Sequence, residues 1–167
     1  YRVVDGGMIM PLSSIRNVGG VIAHYIIVER KNGLYKDIFD FLTRFYKKTN
    51  NRKVIESLIY AHAFSSFYNT KTLLENYEEL DNYATLSSDL GEVEKPNIKL
   101  FNENYDEALE HEKEVFGFYL TSHKTEKYKL QYQGIVNLNE VQNFLNKKIN
   151  IIISVDKIKE VNTKNNE

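Results

Sequence analysis

The spacing of hydrophobic residues along the chain predicts a mainly helical protein with short strands at its two ends. Residues 1–11 place two apolar runs on either side of Asp5, Gly6 and Gly7, which is typical of a β-hairpin. From residue 12 to residue 83, apolar residues recur every three or four positions, which predicts five helices. Two breaks between these helices are tight reversals: the first hairpin (residues 17–20) and the second hairpin (residues 61–66). We therefore expect two helical hairpins joined by a connecting helix.

Residues suited to helix ends lie where the predicted helices meet. Gly33 is placed to adopt the left-handed conformation that commonly follows a helix. Asp37 is the predicted N-cap of the third helix, and Asn50 or Asn51 that of the fourth, because their side-chain oxygens can accept a hydrogen bond from the first turn. Asn69 or Thr70 is predicted to cap the fifth helix, which we expect to end near residue 83.

Helical periodicity weakens after residue 83. Residues 84–104 contain Gly91 and Pro96 and are predicted to be a flexible surface linker. Residues 105–148 are predicted to be a connecting helical region, with a helix from about residue 105 to 120. Its expected buried stripe is Leu109, Phe116 and Leu120. Alternating apolar residues predict a strand from residue 149, namely Ile149, Ile151, Ile153 and Val155, with Ile158 and Val161 beyond.

Composition restricts the kinds of site that the chain can form. Its 22 basic and 23 acidic residues leave a formal net charge of -1, which argues mildly against a dedicated nucleic-acid-binding protein. The absence of cysteine excludes disulfides and thiolate chemistry. The four histidines are scattered, so we expect no metal or cofactor site. No apolar run is long enough for a membrane span, so we expect a cytoplasmic protein without a membrane partner.

The first hairpin is the strongest candidate for chemistry. A helix that restarts at a glycine leaves its first backbone N–H groups without partners, and the helix dipole adds to their preference for an anion. Glycine also allows a phosphate to approach the backbone closely. The predicted DNA-binding residues here are Arg16, Asn17, Val18, Gly19, Gly20 and Val21, with Arg30 and Lys31 as further sources of positive charge. The alternative that this is an ordinary helix–turn–helix corner stays open at this point.

The second hairpin has no glycine at its reversal. His62 is therefore predicted to adopt the left-handed conformation itself, at a cost of roughly 1 kcal/mol, and Phe64 is predicted to fasten the two helices. Lys71 on the following helix is within reach of a phosphate, although a structural role for this hairpin is favoured over DNA contact.

Four blocks, taken in order, resemble the alpha subunit of bacterial DNA polymerase III, a C-family replicative polymerase. They are residues 11–19 (PLSSIRNVG), 37–44 (DIFDFLTR), 51–59 (NRKVIESLI) followed by Ala63 and Phe64, and 112–123 (EKEVFGFYLTSH). The resemblance implies that residues 1–11 end the fingers domain, that 12–83 form a tandem helix-hairpin-helix module that grips duplex DNA, and that 149–167 begin a truncated OB domain. Both ends are then expected to be cuts through a larger protein.

Departures from the family pattern concern the DNA-contacting positions. At the first hairpin, Val21 replaces the second of the family's two glycines. At the second hairpin, His62 replaces a glycine, and Lys71 stands where arginine is usual. The family's catalytic aspartates are expected upstream of this chain. Asp37 and Asp40 are better explained as a helix cap and a solvated helix position, so no catalytic residue is predicted here.

The resemblance also implies a peptide that binds the sliding clamp, and residues 97–101 (NIKLF) are its candidate. Leu100 and Phe101 would be the hydrophobic anchors, although Asn97 stands where the family usually has glutamine. The alternative is that Leu100 and Phe101 fasten the following helix to the core.

Two functions follow as hypotheses. The first is a non-catalytic, DNA-holding segment of a DNA-directed DNA polymerase, a nucleotidyltransferase of DNA replication in the bacterial cytoplasm and nucleoid. Its partners would be the backbone phosphates of duplex DNA, the sliding clamp and other replisome subunits. The second is a structural connector within that polymerase with little DNA contact. A free-standing repair protein is disfavoured, because the resemblance continues through residues 112–123.

Overall fold

The computed structural model describes residues 2–155 and 157–160 and divides into two compact units, Tyr1–Thr121 and Ser122–Glu167. Each unit is considered by itself. The first unit begins with the predicted β-hairpin, in which β1 (Arg2–Val4) pairs antiparallel with β2 (Gly7–Ile9). Gly6 has a φ of 83°, which allows the tight turn between the strands. The hairpin prediction is confirmed.

The rest of the first unit is mainly helical, and the prediction of a mainly helical protein is confirmed. A short 3₁₀ turn (Leu12–Ser14) precedes the first hairpin. The helices that follow are α1 (Gly20–Lys31), α2 (Ile38–Tyr46), α3 (Arg52–Tyr60), α4 (Thr70–Glu75), α5 (Tyr77–Leu90) and α6 (Tyr105–Phe116).

Side-chain caps start four of these helices. The side chains of Asp37, Asn51, Asn69 and Asn104 accept hydrogen bonds from the first turns of α2, α3, α4 and α6. The first three are among the predicted caps, with Asn51 and not Asn50 at the start of α3, and Asn69 and not Thr70 at the start of α4. Gly33 follows α1 with a φ of 128°, as expected of a residue beyond a helix C-terminus.

The predicted fifth helix is wrong in two respects. It is divided at Asn76, a buried residue whose side chain turns to bond the backbone of Lys99. It also continues to Leu90, so residues 84–90 do not belong to an irregular linker. Ala84 and Ser87 lie buried in this last part, and the Ser87 hydroxyl is 2.7 Å from that of Thr43 on α2. Small and polar residues thus make this contact, which is why the hydrophobic pattern fades there.

The core of the first unit lies between α2, α3, α4 and α5. The side chains with at most 2% exposure include Ile38, Leu42, Phe45, Val54, Ile55, Leu58, Ile59, Leu73 and Leu80. Full burial of such a side chain stabilises the fold by about 1.5–3 kcal/mol. Phe64 of the second hairpin joins this core against Phe41, with ring centroids 4.8 Å apart, which confirms its predicted fastening role.

Arg44 joins α1 to α2. Its Nε lies 3.0 Å from Oε1 of Glu29, and Nη1 donates to the carbonyl of Gly33 at 3.1 Å. Nη2 donates to the carbonyl of Glu29, and the guanidinium covers the Tyr35 ring at 4.4 Å. Because the side chain is only 16% exposed, these bonds are partly shielded from water.

The amphipathic helix α6 ends earlier than predicted. Gly117 adopts a φ of 82° and terminates the helix after Phe116. Leu109 is buried as expected, but Leu120 is 50% exposed and does not belong to the buried stripe. Instead, the buried carboxylate of Glu112 accepts bonds from the backbone N–H of Leu120 and Thr121, at 2.8 to 3.0 Å, and fixes the chain after the helix.

The second unit contains a short helix, α7 (Glu126–Lys129), and a 3₁₀ segment (Leu138–Phe144). The strand predicted from residue 149 is wrong for the described residues. Only a single parallel bridge joins Asn150 to Ile135 there, and Ile153 and Val155 are 67% and 65% exposed. Alternating apolar and polar residues favour an extended strand, but a β-strand forms only where a second strand is available for backbone hydrogen bonds. Val161 lies outside the described residues.

Candidate nucleic-acid interface

The first hairpin is a tight turn built around Asn17 and Val18. Asn17 adopts a φ of 65°, in the left-handed region that non-glycine residues rarely occupy. Val18 is 2% exposed, and its N–H donates to the carbonyl of Ile15 at 3.0 Å. The side chain of Val18 therefore anchors the turn in the core.

Two long-range hydrogen bonds hold this turn against other helices. The Asn17 Nδ2 donates to Oγ of the buried Ser57 on α3 at 3.0 Å. The Arg16 N–H donates to the carbonyl of Val115 near the end of α6 at 2.9 Å. The position of the first hairpin is thus set by α3 and α6, which lie far away in the sequence.

The start of α1 presents backbone donors to solvent. Gly19 is its N-cap and supplies no side-chain cap, and the first turn contains no acidic residue. By helix geometry, the N–H groups of Gly20, Val21 and Ile22 have no carbonyl one turn earlier to bond. Gly19 and Gly20 are exposed, and a Cβ built on either would meet nothing within 4 Å. Internal packing therefore does not require glycine at either position.

The cationic side chains around the first hairpin are few. Arg16 is exposed and makes no ion pair with the part of the chain that the structure describes. Arg30 and Lys31 lie in the last turn of α1, about 15 Å along the helix from its start. They do not join the site. Lys53, which sequence reasoning missed, is exposed one helical turn before Ser57 and so lies on the face of α3 that meets Asn17.

At the second hairpin, His62 is the residue that adopts the left-handed backbone conformation. His62 has a φ of 56°, and its Nδ1 lies 3.0 Å from the hydroxyl of Thr70. The N–H of Ala63 donates to the carbonyl of Leu58 at 3.0 Å, which closes the end of α3. The left-handed conformation that was predicted for His62 is confirmed.

A carboxylate of this chain already occupies the start of α4. Oε2 of Glu103 accepts a bond from the N–H of Thr70 at 2.9 Å, and Oε1 accepts one from the N–H of Lys71 at 3.3 Å. The Lys71 ammonium lies 3.0 Å from Glu75 and 3.7 Å from Glu107. The hydrogen bond to Glu75 and the charge of Glu107 raise the pKa of Lys71 above its ordinary value. The two hairpins therefore differ, because only the first presents its helix start to solvent.

Residues 92–103, here called the extended segment, have no regular secondary structure but contact several helices. The Lys95 ammonium pairs with Asp37 at 2.7 Å, and Ile98 packs against the core. Leu100 is 76% exposed and Phe101 37% exposed, and Asn97 is exposed as well. The alternative to a binding role had Leu100 and Phe101 fastening the next helix to the core, and the exposure of Leu100 does not fit its part in that role.

Neither a metal site nor a membrane-spanning helix is present among the residues that the structure describes. Over residues 2–155 and 157–160, no three His, Cys, Asp or Glu side chains are grouped so as to hold a metal ion. Within the same residues, no helix has the length and apolar character to cross a membrane.

Comparison with known proteins agrees with this architecture. The family of the helix-hairpin-helix motif matches residues 1–74, which include both hairpins. The DNA polymerase III subunit alpha of Staphylococcus epidermidis is 34% identical over 179 aligned positions, which cover 100% of this chain. The proteins of the same name from Borreliella burgdorferi and Staphylococcus aureus are each 33% identical over 99% and 100% of the chain. The resemblance to the DNA polymerase III alpha subunit is confirmed. The chain spans 16% of the length of each of these relatives.

Proposed function

We propose that this chain is a non-catalytic segment of a bacterial DNA-directed DNA polymerase that holds duplex DNA through its backbone phosphates, at the first hairpin. The observation that carries the proposal is the uncapped start of α1, where exposed glycines leave room for a phosphate beside free N–H groups. Arg16 and Lys53 supply the nearby positive charge. The relatives named DNA polymerase III subunit alpha support replication in the bacterial cytoplasm as the setting.

Such contacts predict weak binding that depends on salt and not on base sequence. With few cationic side chains near the first hairpin, the isolated chain should bind duplex DNA with a Kd of roughly 10⁻⁴ M or weaker at physiological salt. Phosphate contacts carry no base information, so duplexes of different sequence should bind alike.

The test is a titration of fluorescently labelled duplexes at several salt concentrations. Gly20→Val should abolish binding without unfolding the protein, because its Cβ meets nothing within 4 Å but would obstruct a phosphate. Gly7→Val is the matched control, since Gly7 also has open space but lies on strand β2 and not at a helix start. Arg16→Gln should reduce the slope of log affinity against log salt by about 1. Equal binding by wild type and Gly20→Val, or preference for one sequence, would contradict the proposal.

A structural connector is the second candidate, and the surface of α6 favours it. Besides the buried Glu112, that helix carries Asp106, Glu107, Glu110 and Glu114, and its end bonds the first hairpin through Val115. Glu103 also fills the start of α4. Carboxylates near both hairpins oppose an approaching phosphate. Unchanged binding after the Gly20→Val substitution would select this function.

We also propose that residues 97–101 bind the sliding clamp through Leu100 and Phe101, which would tether the polymerase and link it to the rest of the replisome. Exposed apolar side chains on an irregular segment suit insertion into a partner's pocket. A peptide of residues 93–103 should compete with a known clamp ligand for the cognate clamp, and a Leu100→Ala peptide should not. Failure of the unchanged peptide to compete would reject this partner.

A further inference from the structure

The extended segment is held to α4 and the start of α5 by side chains that bond its backbone. The N–H of Lys99 donates to Oδ1 of Asn76 at 3.0 Å, and Nδ2 of Asn76 donates to the carbonyl of Lys99 at 2.8 Å. The N–H of Phe101 donates to the hydroxyl of Thr72 at 3.0 Å, and that hydroxyl lies 3.2 Å from the carbonyl of Phe101. Nδ2 of Asn69 donates to the same carbonyl at 2.8 Å.

These bonds follow the repeat of a β-strand. Lys99 and Phe101 are two residues apart, so in an extended chain their backbone groups are about 6.6 Å apart on one edge. Thr72 and Asn76 are one helical turn apart, which is about 6 Å along the helix. The two repeats match closely, and the helix side chains therefore serve as a substitute for a neighbouring strand.

Leu100 lies between the two bonded residues, Lys99 and Phe101, and its backbone groups are on the opposite edge of the extended chain. Leu100 is 76% exposed, and its backbone N–H and carbonyl bond no group among the residues that the structure describes. Glu103 fastens one end of the segment through the N–H groups of Thr70 and Lys71. On the other side of the two bonded positions, Ile98 packs against the core. Leu100 is thus displayed from a chain that is already ordered.

We propose that Asn69, Thr72 and Asn76 are positioning residues that keep residues 97–101 extended and ready for the clamp. This inference rests on the proposed clamp-binding function. A flexible peptide must lose conformational freedom when it binds, whereas a segment that is already extended loses less. The folded protein should therefore bind the cognate clamp about tenfold more tightly than the isolated peptide of residues 93–103.

The experiment compares the full chain, its variants and the peptide in one competition assay against the clamp. Thr72→Val removes only the hydroxyl and should bring the affinity of the chain close to that of the peptide. Asn69→Ser keeps an N-cap oxygen but is too short to reach Phe101, so it should weaken binding by several-fold. Thr85→Val makes the same chemical change on an exposed face of α5 and should have no effect. Amide hydrogen exchange at Phe101 should speed up in the two positioning variants only.

The outcomes separate this inference from the function on which it rests. If neither the peptide nor the chain competes, the clamp-binding function fails, and the inference fails with it. If the peptide binds as tightly as the chain or more tightly, clamp binding stands and positioning is overturned. Unchanged clamp affinity in both Thr72→Val and Asn69→Ser, with faster exchange at Phe101, would also overturn it.

Discussion

Replacing Asn17 with alanine should destabilise the protein by about 2 kcal/mol, through two separate losses at the first hairpin. The first is the hydrogen bond from Nδ2 to the Ser57 hydroxyl, 3.0 Å long and partly buried, which contributes about 1 kcal/mol. The second is the left-handed backbone, with a φ of 65° at this residue. Alanine pays roughly 1–2 kcal/mol there, and asparagine less, so we expect about 1 kcal/mol from this source.

A glycine at the same position separates the two losses. Asn17→Gly also loses the bond to Ser57, but glycine adopts the left-handed conformation freely. Glycine also gives the unfolded chain more conformational entropy, which costs roughly 0.4–1 kcal/mol of stability and offsets part of the gain from the relieved backbone strain. The glycine variant should therefore lose about 1 kcal/mol, half of the loss in the alanine variant.

Urea unfolding followed by far-ultraviolet circular dichroism measures these differences, provided that the m-value stays constant. Ser57→Ala, alone and combined with Asn17→Ala, completes a double-mutant cycle whose coupling energy should be about 1 kcal/mol. Equal stability of the alanine and glycine variants would refute the argument from backbone strain. A coupling energy near zero would refute the argument from the hydrogen bond.

Two further predictions concern the packing of α2. Arg44→Lys keeps the charge but loses the bonds to the carbonyls of Glu29 and Gly33, and should cost about 2 kcal/mol in urea unfolding; a loss within experimental error would contradict the role of these bonds. Burial raises the pKa of Asp37, but its bonds to the Lys95 ammonium and to backbone N–H groups outweigh this and hold the pKa below the ordinary 3.8. Because the folded-state pKa is the lower one, the stabilisation is complete above 3.8 and is lost as the pH falls through the folded-state value. The stability difference between wild type and Asp37→Asn should shrink over that range, and a constant difference would count against the ion pair.

Much of the helical architecture could be predicted because helix starts and reversals depend on neighbouring residues. Asp37, Asn51 and Asn69 cap the helices that directly follow them, and the bond in each case spans three residues. His62 shows the same principle, since a reversal without glycine leaves a nearby residue to adopt the positive φ.

The errors occur where packing partners are distant in sequence. The division at Asn76 depends on its bonds to Lys99, 23 residues away. The continuation of α5 to Leu90 depends on α2, against which Ser87 packs. The strand predicted from residue 149 fails among the described residues because alternation does not supply a partner backbone.

The features of the candidate site likewise depend in part on neighbouring residues and in part on residues that are distant in the sequence. The sequence by itself determined where the first hairpin lies and that a helix restarts there at glycine, because capping and helix propensity act within one turn. Only the tertiary structure decided which helix start stays open. Glu103 closes α4 from more than 30 residues away, and Ser57 holds Asn17 from 40 residues away. Such pairs depend on how helices pack together, and no local pattern along the chain records that packing.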